Sequence, residues 1–133
     1  MTRDEIRALD VFSGLTDAGA DRVAACAAEL EVPAGQVLAL QGDTGSGMFV
    51  LLEGTVTVEL RSGQVELGPG EPVGELSLLA PGASRVARVR AKTPVRCLGL
   101  GREDFLALLE DEPALARALL RTLAGRFAGM LSA

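Results

Sequence analysis

Met48-Phe49-Val50-Leu51-Leu52-Glu53-Gly54-Thr55-Val56-Thr57-Val58-Glu59-Leu60 is the stretch on which the fold turns. Thr55 to Leu60 alternates in type and is rich in β-branched residues, which predicts a strand with one face buried. Met48 to Leu52 predicts a second strand. Glu53-Gly54 joins the two as a turn. Arg61-Ser62-Gly63-Gln64 closes a hairpin, and Val65 to Leu67 runs back.

The same period extends outward in both directions. Upstream, Pro33-Ala34-Gly35 predicts a turn and Gln36 to Leu40 a strand, followed by the Gly-rich loop Gly42-Asp43-Thr44-Gly45-Ser46-Gly47. Downstream, Gly68-Pro69-Gly70-Glu71-Pro72-Val73-Gly74 holds too much Gly and Pro for a central strand. Glu75 to Leu79 suits one helical turn, and Pro81-Gly82-Ala83-Ser84 a loop. Val86 to Ala91 and Val95 to Leu100 predict two more strands around a turn at Lys92-Thr93-Pro94.

Both ends are helical. Thr2 with Glu5 three residues on forms a capping box for a short helix to Leu9, broken by Val11-Phe12-Ser13-Gly14-Leu15. Thr16 caps a second helix expected over 17–30, with Ala20, Val23, Ala24, Ala27 and Leu30 on one stripe. Arg102 to Leu109 turns Phe105, Leu108 and Leu109 toward a core. Pro113 suits the first turn of a last helix over 113–131. Leu115, Leu119, Thr122 or Leu123, Arg126 or Phe127, and Met130 mark a stripe that suits either packing on the chain's own roll or a homodimer seam. Strands gathered between runs of helices predict an α+β fold. A single domain over 1–133 is expected, with N-terminal helices in 1–30, about eight strands in 31–100 and C-terminal helices in 101–133.

Composition narrows the function. The chain has 133 residues, 48% hydrophobic and 23% charged, which suits a folded domain with its own core. Net charge of −5 opposes binding to nucleic acid or to an anionic membrane surface. The basic residues that do cluster are Arg85, Arg88, Arg90, Lys92 and Arg96. There is no His, which removes imidazole ligands and imidazole acid–base catalysis. Cys26 and Cys97 sit in apolar runs, as buried thiols of a reducing compartment do. The N-terminus lacks a signal pattern and no segment reaches the length of a membrane span, so a cytoplasmic location is expected.

The chemistry concentrates at Gly74-Glu75-Leu76-Ser77. A glycine-rich approach to a helical turn aligns unpaired backbone N–H groups into an anion site. A carboxylate there repels an anion unless Glu75 takes a neighbouring hydroxyl pair instead. Arg85, at the start of a strand, suits a phosphate oxygen fork. Together these groups fit a ribose phosphate. The bland alternative is a solvated loop in which Glu75 and Arg85 form an ordinary ion pair.

The stretch Gly70 to Leu79, with Arg85-Val86-Ala87 and Val89-Arg90-Ala91, resembles the phosphate-binding cassette of the cyclic-nucleotide-binding domain family, here over 70–87. That family includes catabolite-activator-type regulators, kinase regulatory subunits and gated channels. Leu9 to Leu15, Pro33-Ala34-Gly35, Gln41-Gly42-Asp43, Phe49 to Val56, Asp104-Phe105-Leu106 and Pro113 are similar to other parts of its pattern, in the same order. The resemblance implies an antiparallel β-roll or jelly-roll flanked by helices. It implies that Glu75 takes a ribose 2′-hydroxyl, that backbone N–H groups of Gly74, Glu75, Leu76 and Ser77 hold ribose and phosphate, and that Arg85 pairs with the cyclic phosphate of cAMP or cGMP. Val58 and Val65 become apolar neighbours of the base.

Three positions depart from the pattern. Val86 stands where nucleotide-binding members carry Ser or Thr, Val73 where a larger residue is usual, and Met130 and Leu131 where some members place polar groups on the base. Ser84 is a possible substitute donor for the missing hydroxyl. Catabolite-activator-type regulators continue into a helix-turn-helix; none follows before Ala133, so the expectation is a freestanding module that does not read DNA. Two functions stay open: a cyclic-nucleotide sensor that signals through its C-terminal helices to an unidentified protein partner, and a scaffold that keeps the fold without the ligand. An enzyme is not expected, since no nucleophile or acid–base pair accompanies Glu75.

Overall fold

Seven strands, four α-helices and one 3-10 turn make up the described part of the chain in a computed structural model. The structure describes residues 1–38, 47–60, 63–74 and 87–132. The helical turn expected over 75–79, the loop expected over 81–84, residues 42–46 of the loop expected over 42–47 and the hairpin positions 61 and 62 lie outside these residues, while Gly47 of that loop belongs to a strand. The backbone divides into two compact units: residues 26–106, and residues 1–25 with 107–133.

The first unit holds all the strands. β1 (Ala28–Val32), β2 (Gly47–Glu53), β5 (Pro72–Val73) and β7 (Val95–Gly101) form one sheet in the order β1-β7-β2-β5; β3 (Val56–Leu60), β4 (Gly63–Leu67) and β6 (Ala87–Ala91) form a second, ordered β4-β3-β6. Every paired neighbour is antiparallel. Phe49, Leu51, Val73, Val95 and Cys97 from the first sheet meet Val56, Leu67 and Ala91 from the second in one apolar cluster. The sheets therefore close face to face, as a β-roll does. Met48 and Val50, on the other face of β2, are also buried, which explains the unbroken apolar run there.

Two expectations need correction. The second helix, α2 (Asp17–Cys26), ends well before residue 30, and Ala28–Val32 is a strand paired with β7. The reason is visible in the side chains: Leu30 and Val32 pack on the core cluster while Glu29 and Glu31 are exposed, a period of two. Leu30 belongs to that alternation and not to the helical stripe. The segment from Gln36 is also less regular than a full strand. Its described part makes an isolated bridge, Val37 to Arg90, with the Leu38 N–H donating to the Val89 carbonyl at 2.9 Å. Pro72–Val73 pairs only at the sheet edge, where a strand tolerates its proline.

The second unit begins with α1 (Arg3–Arg7), whose capping box between Thr2 and Glu5 is formed on both sides. The 3-10 turn Asp10–Phe12 follows. Thr16 caps α2 through a 3.1 Å bond from the Gly19 N–H. α3 (Arg102–Asp111) and α4 (Pro113–Ser132) close the chain. Glu112, between them, is 7% exposed; it accepts a 2.8 Å bond from the Thr16 N–H and a 2.9 Å bond from the Thr16 hydroxyl. Its carboxylate therefore meets the donors at the start of α2. Arg3 pairs with Asp21 and Asp17, Arg7 with Asp17 and Arg22 with Asp111. The hydrogen bond from Arg3 holds the Asp21 carboxyl below its usual range and raises the guanidinium in turn.

Candidate functional site

Gly74 stands at the exit of β5, where the chain leaves the first sheet. Val73 pairs with Phe49 and Pro72 with Val50, which fixes this exit against β2. The residues before it are tied down as well. The Gly70 N–H donates to the Leu51 carbonyl at 2.7 Å, the Leu51 N–H to the Glu71 carbonyl at 3.1 Å, and the Gly68 N–H to the Glu71 carboxylate at 2.8 Å. Gly74 itself has φ +85, the left-handed region, and a Cβ there would lie 2.4 Å from the Gly47 carbonyl oxygen. Only glycine meets both conditions. The chain thus turns into residue 75 on bare backbone, held against a second glycine.

Val58 and Val65 are directly opposite one another across β3 and β4, and Val89 faces Val58 from β6. Facing residues share one side of a sheet. That side carries Val56 and Leu67, both in the core cluster. Val58 and Val89 pack against the same cluster, yet Val65 is 43% exposed. The row Val65-Val58-Val89 therefore runs from core to solvent on the inner face of the second sheet. It is a short apolar wall with an open end.

The structure joins Val58 and Val65 in one row and places Gly74 on the other sheet, directly after Val73 of the shared cluster. Glu75, Leu76, Ser77, Arg85 and Val86 lie outside the described residues. Val89 and the Gly47 carbonyl are absent from the expected set. Val89 could have been found from its alternation with Arg88 and Arg90, whereas the contact at Gly47 follows from register alone.

The expected basic cluster is largely neutralised. Arg90 pairs with Glu59 at 2.8 Å, Arg96 with Glu53 at 3.0 Å, and Lys92 with Glu66. Cys97 is buried, and burial pushes its thiol up to about 11, so no thiolate nucleophile arises there near neutral pH. Cys26 is half-buried. Among the described residues no group of His, Cys, Asp and Glu could hold a metal ion, and no helix is long and apolar enough to cross a membrane. What remains is shaped backbone at Gly74 on one sheet and an apolar row on the other.

Comparison with known proteins bears on the family and the fold. Residues 29–112 match the model of the cyclic nucleotide-binding domain. A cyclic nucleotide-gated potassium channel of Rhizobium etli is 35% identical over 124 residues, 93% of this chain and 35% of the channel. The chain thus spans about a third of that relative's length. The catabolite activator protein of Thermus thermophilus is 32% identical with a TM-score of 0.70, covering 91% of this chain and 59% of that one. The N-terminal domain of a transcriptional regulator from Streptomyces coelicolor is 34% identical with a TM-score of 0.59, covering 96% and 92%.

Proposed function

The chain belongs to the cyclic nucleotide-binding domain family, and from that premise we propose that it is a small regulatory module that binds a cyclic nucleotide, cAMP before cGMP, and passes the binding on through its C-terminal helices. The observation that supports this reading most is Gly74. A positive φ and a backbone contact to Gly47 set the turn immediately before Glu75. In this reading Glu75 accepts from the ribose 2′-hydroxyl, N–H groups of Gly74, Glu75, Leu76 and Ser77 donate to sugar and phosphate, and Arg85 pairs with the cyclic phosphate. Val58 and Val65, with Val89, offer the base an apolar wall. Val86 supplies no hydroxyl, which costs on the order of 1 kcal/mol of phosphate binding relative to Ser or Thr. The role is regulatory and not catalytic, and it is exercised in the cytoplasm, where free thiols such as Cys97 persist.

Calorimetric titration with cAMP and cGMP tests the reading. Saturable binding that Arg85→Ala abolishes supports it; silence at millimolar nucleotide defeats it.

A second reading keeps the fold without the ligand and gives the work to α4 as a homodimer seam over 113–131. Leu120, Phe127, Met130 and Leu131 are 61–73% exposed there. Leu120, Leu123, Phe127 and Met130 follow one another at steps of three and four, the spacing of a two-helix seam. A dimer in sedimentation that ignores nucleotides and dissociates on Leu120→Asp favours this second reading.

A further inference from the structure

The last helix opposes the charge of its own chain. Net charge is −5, yet Pro113–Ser132 carries Arg117, Arg121 and Arg126 and no acidic residue. The arginines elsewhere in this unit, Arg3, Arg7 and Arg22, all hold aspartates. Among the described residues, no carboxylate lies at ion-pair distance from Arg117 or Arg121. The two stand one helical turn apart on one face, and both are exposed. The Arg121 Nε–H donates to the Arg117 carbonyl at 3.4 Å, which turns the Arg121 side chain back along the helix.

Both line a groove of about 480 Å³ between the 3-10 turn and α4. Its floor is small: Gly14, Ala114 and Ala118. A Cβ on Gly14 would lie 2.7 Å from the Ala114 Cβ, so the two segments already meet at backbone distance. Asp10 also lines the groove, one carboxylate against two guanidiniums. The groove sits on a different face from the exposed apolar row, since Arg121 lies about 100° around the helix from Leu120.

This charge pattern selects the occupant. A second copy placing the same groove here would set arginine against arginine, and like charges across an interface oppose association. A flat anionic lipid surface meets the rim but not a recessed floor of small side chains. We propose that the groove docks an acidic helical segment of a partner protein, with two carboxylates one turn apart set against Arg117 and Arg121 and small side chains on the Ala114–Ala118 floor. The groove shares no residue with the proposed nucleotide site, and it supplies a contact for an effector.

The test is fluorescence anisotropy on the full chain. The probe is a labelled alanine-based helical peptide with glutamates at i and i+4; a lysine-for-glutamate version is the control. The expected result is binding of the glutamate peptide alone, at least about tenfold weaker for Arg117→Glu/Arg121→Glu, retained by Arg117→Lys/Arg121→Lys, and weaker at about 0.15 M than at about 0.01 M ionic strength. Circular dichroism and urea unfolding of the double variant establish that it folds, and its nucleotide titration is expected to be unchanged, which separates this proposal from the nucleotide reading. Equal binding of both peptides, no binding of the glutamate peptide, or no effect of the charge reversal overturns it. So does a homodimer that the double variant dissociates, or arginine-dependent binding to phosphatidylglycerol vesicles without peptide binding.

Discussion

Gly74→Ala, set beside Gly70→Ala, separates backbone conformation from backbone contact. The two glycines have nearly the same φ, +85 and +86. A Cβ at Gly70 meets nothing within 4 Å, whereas one at Gly74 lies 2.4 Å from the Gly47 carbonyl oxygen. Placing alanine in the left-handed region costs about 1–2 kcal/mol. The stiffer unfolded chain returns about 0.4–1 kcal/mol of that. Gly70→Ala is therefore expected to destabilise by about 0–1.6 kcal/mol. At Gly74 the same strain acts, and the contact adds about 1–3 kcal/mol, because its partner is β2 backbone and not a flexible side-chain end. The carbonyl cannot move without disturbing the pairing of Gly47 with Gly101. Urea unfolding followed by circular dichroism reads the difference. With a slope of about 1–3 kcal/mol per molar urea, the Gly74→Ala midpoint is expected on the order of 1 M below that of Gly70→Ala. Equal midpoints would refute the reasoning, since they would mean that the approach to Gly47 carries no cost. The same variant is expected to lose cyclic-nucleotide binding even where it is fully folded.

Glu112→Ala strips the buried partner from the Thr16 N–H, and a loss of about 1–3 kcal/mol is expected. A double-mutant cycle with Thr16→Ala is expected to show that the two losses are not additive, and additivity within error would deny the bond. Cys97 has a folded pKa raised by burial to about 11 from 9.0, so its stabilising contribution is complete below 9.0 and declines as pH rises from there toward 11. Thermal unfolding of the wild type is expected to fall more steeply over that window than that of Cys97→Ala, measured from each protein's own value at pH 8. Parallel profiles would contradict this. Val65→Asp alters a half-exposed side chain, so stability is expected to hold within about 0.5 kcal/mol. Its nucleotide affinity is expected to drop, and unchanged calorimetric binding would remove Val65 from the base wall.

Much of the roll was legible in the residues. The alternation at Thr55 to Leu60 and the apolar run at Met48 to Leu52 became β3 and β2 because strand burial imposes a period of two on one-sided strands and none on two-sided ones. The capping box at Thr2 formed because it needs only four consecutive residues. The end of α2 was harder to read. Ala24 to Leu30 satisfies a helical stripe, and Leu30 and Val32 satisfy alternation, so the two periods overlap. Pairing with β7 settled it, and that partner lies more than sixty residues away in the chain.

The sequence by itself determined the α+β order, the turn glycines, Gly74 among them, and the absence of imidazole. Those features are local in chain or composition. The tertiary structure alone decided that Val58, Val65 and Val89 form one row, that Gly74 rests on the Gly47 carbonyl, that Glu112 meets Thr16, and that Arg117 and Arg121 share a groove with Asp10 and Gly14. Each of these joins residues far apart in sequence, or turns on which neighbouring carboxylates fall within reach. Strand register and helix placement set such distances. They arise from the packing of the whole unit, which no short window of residues contains.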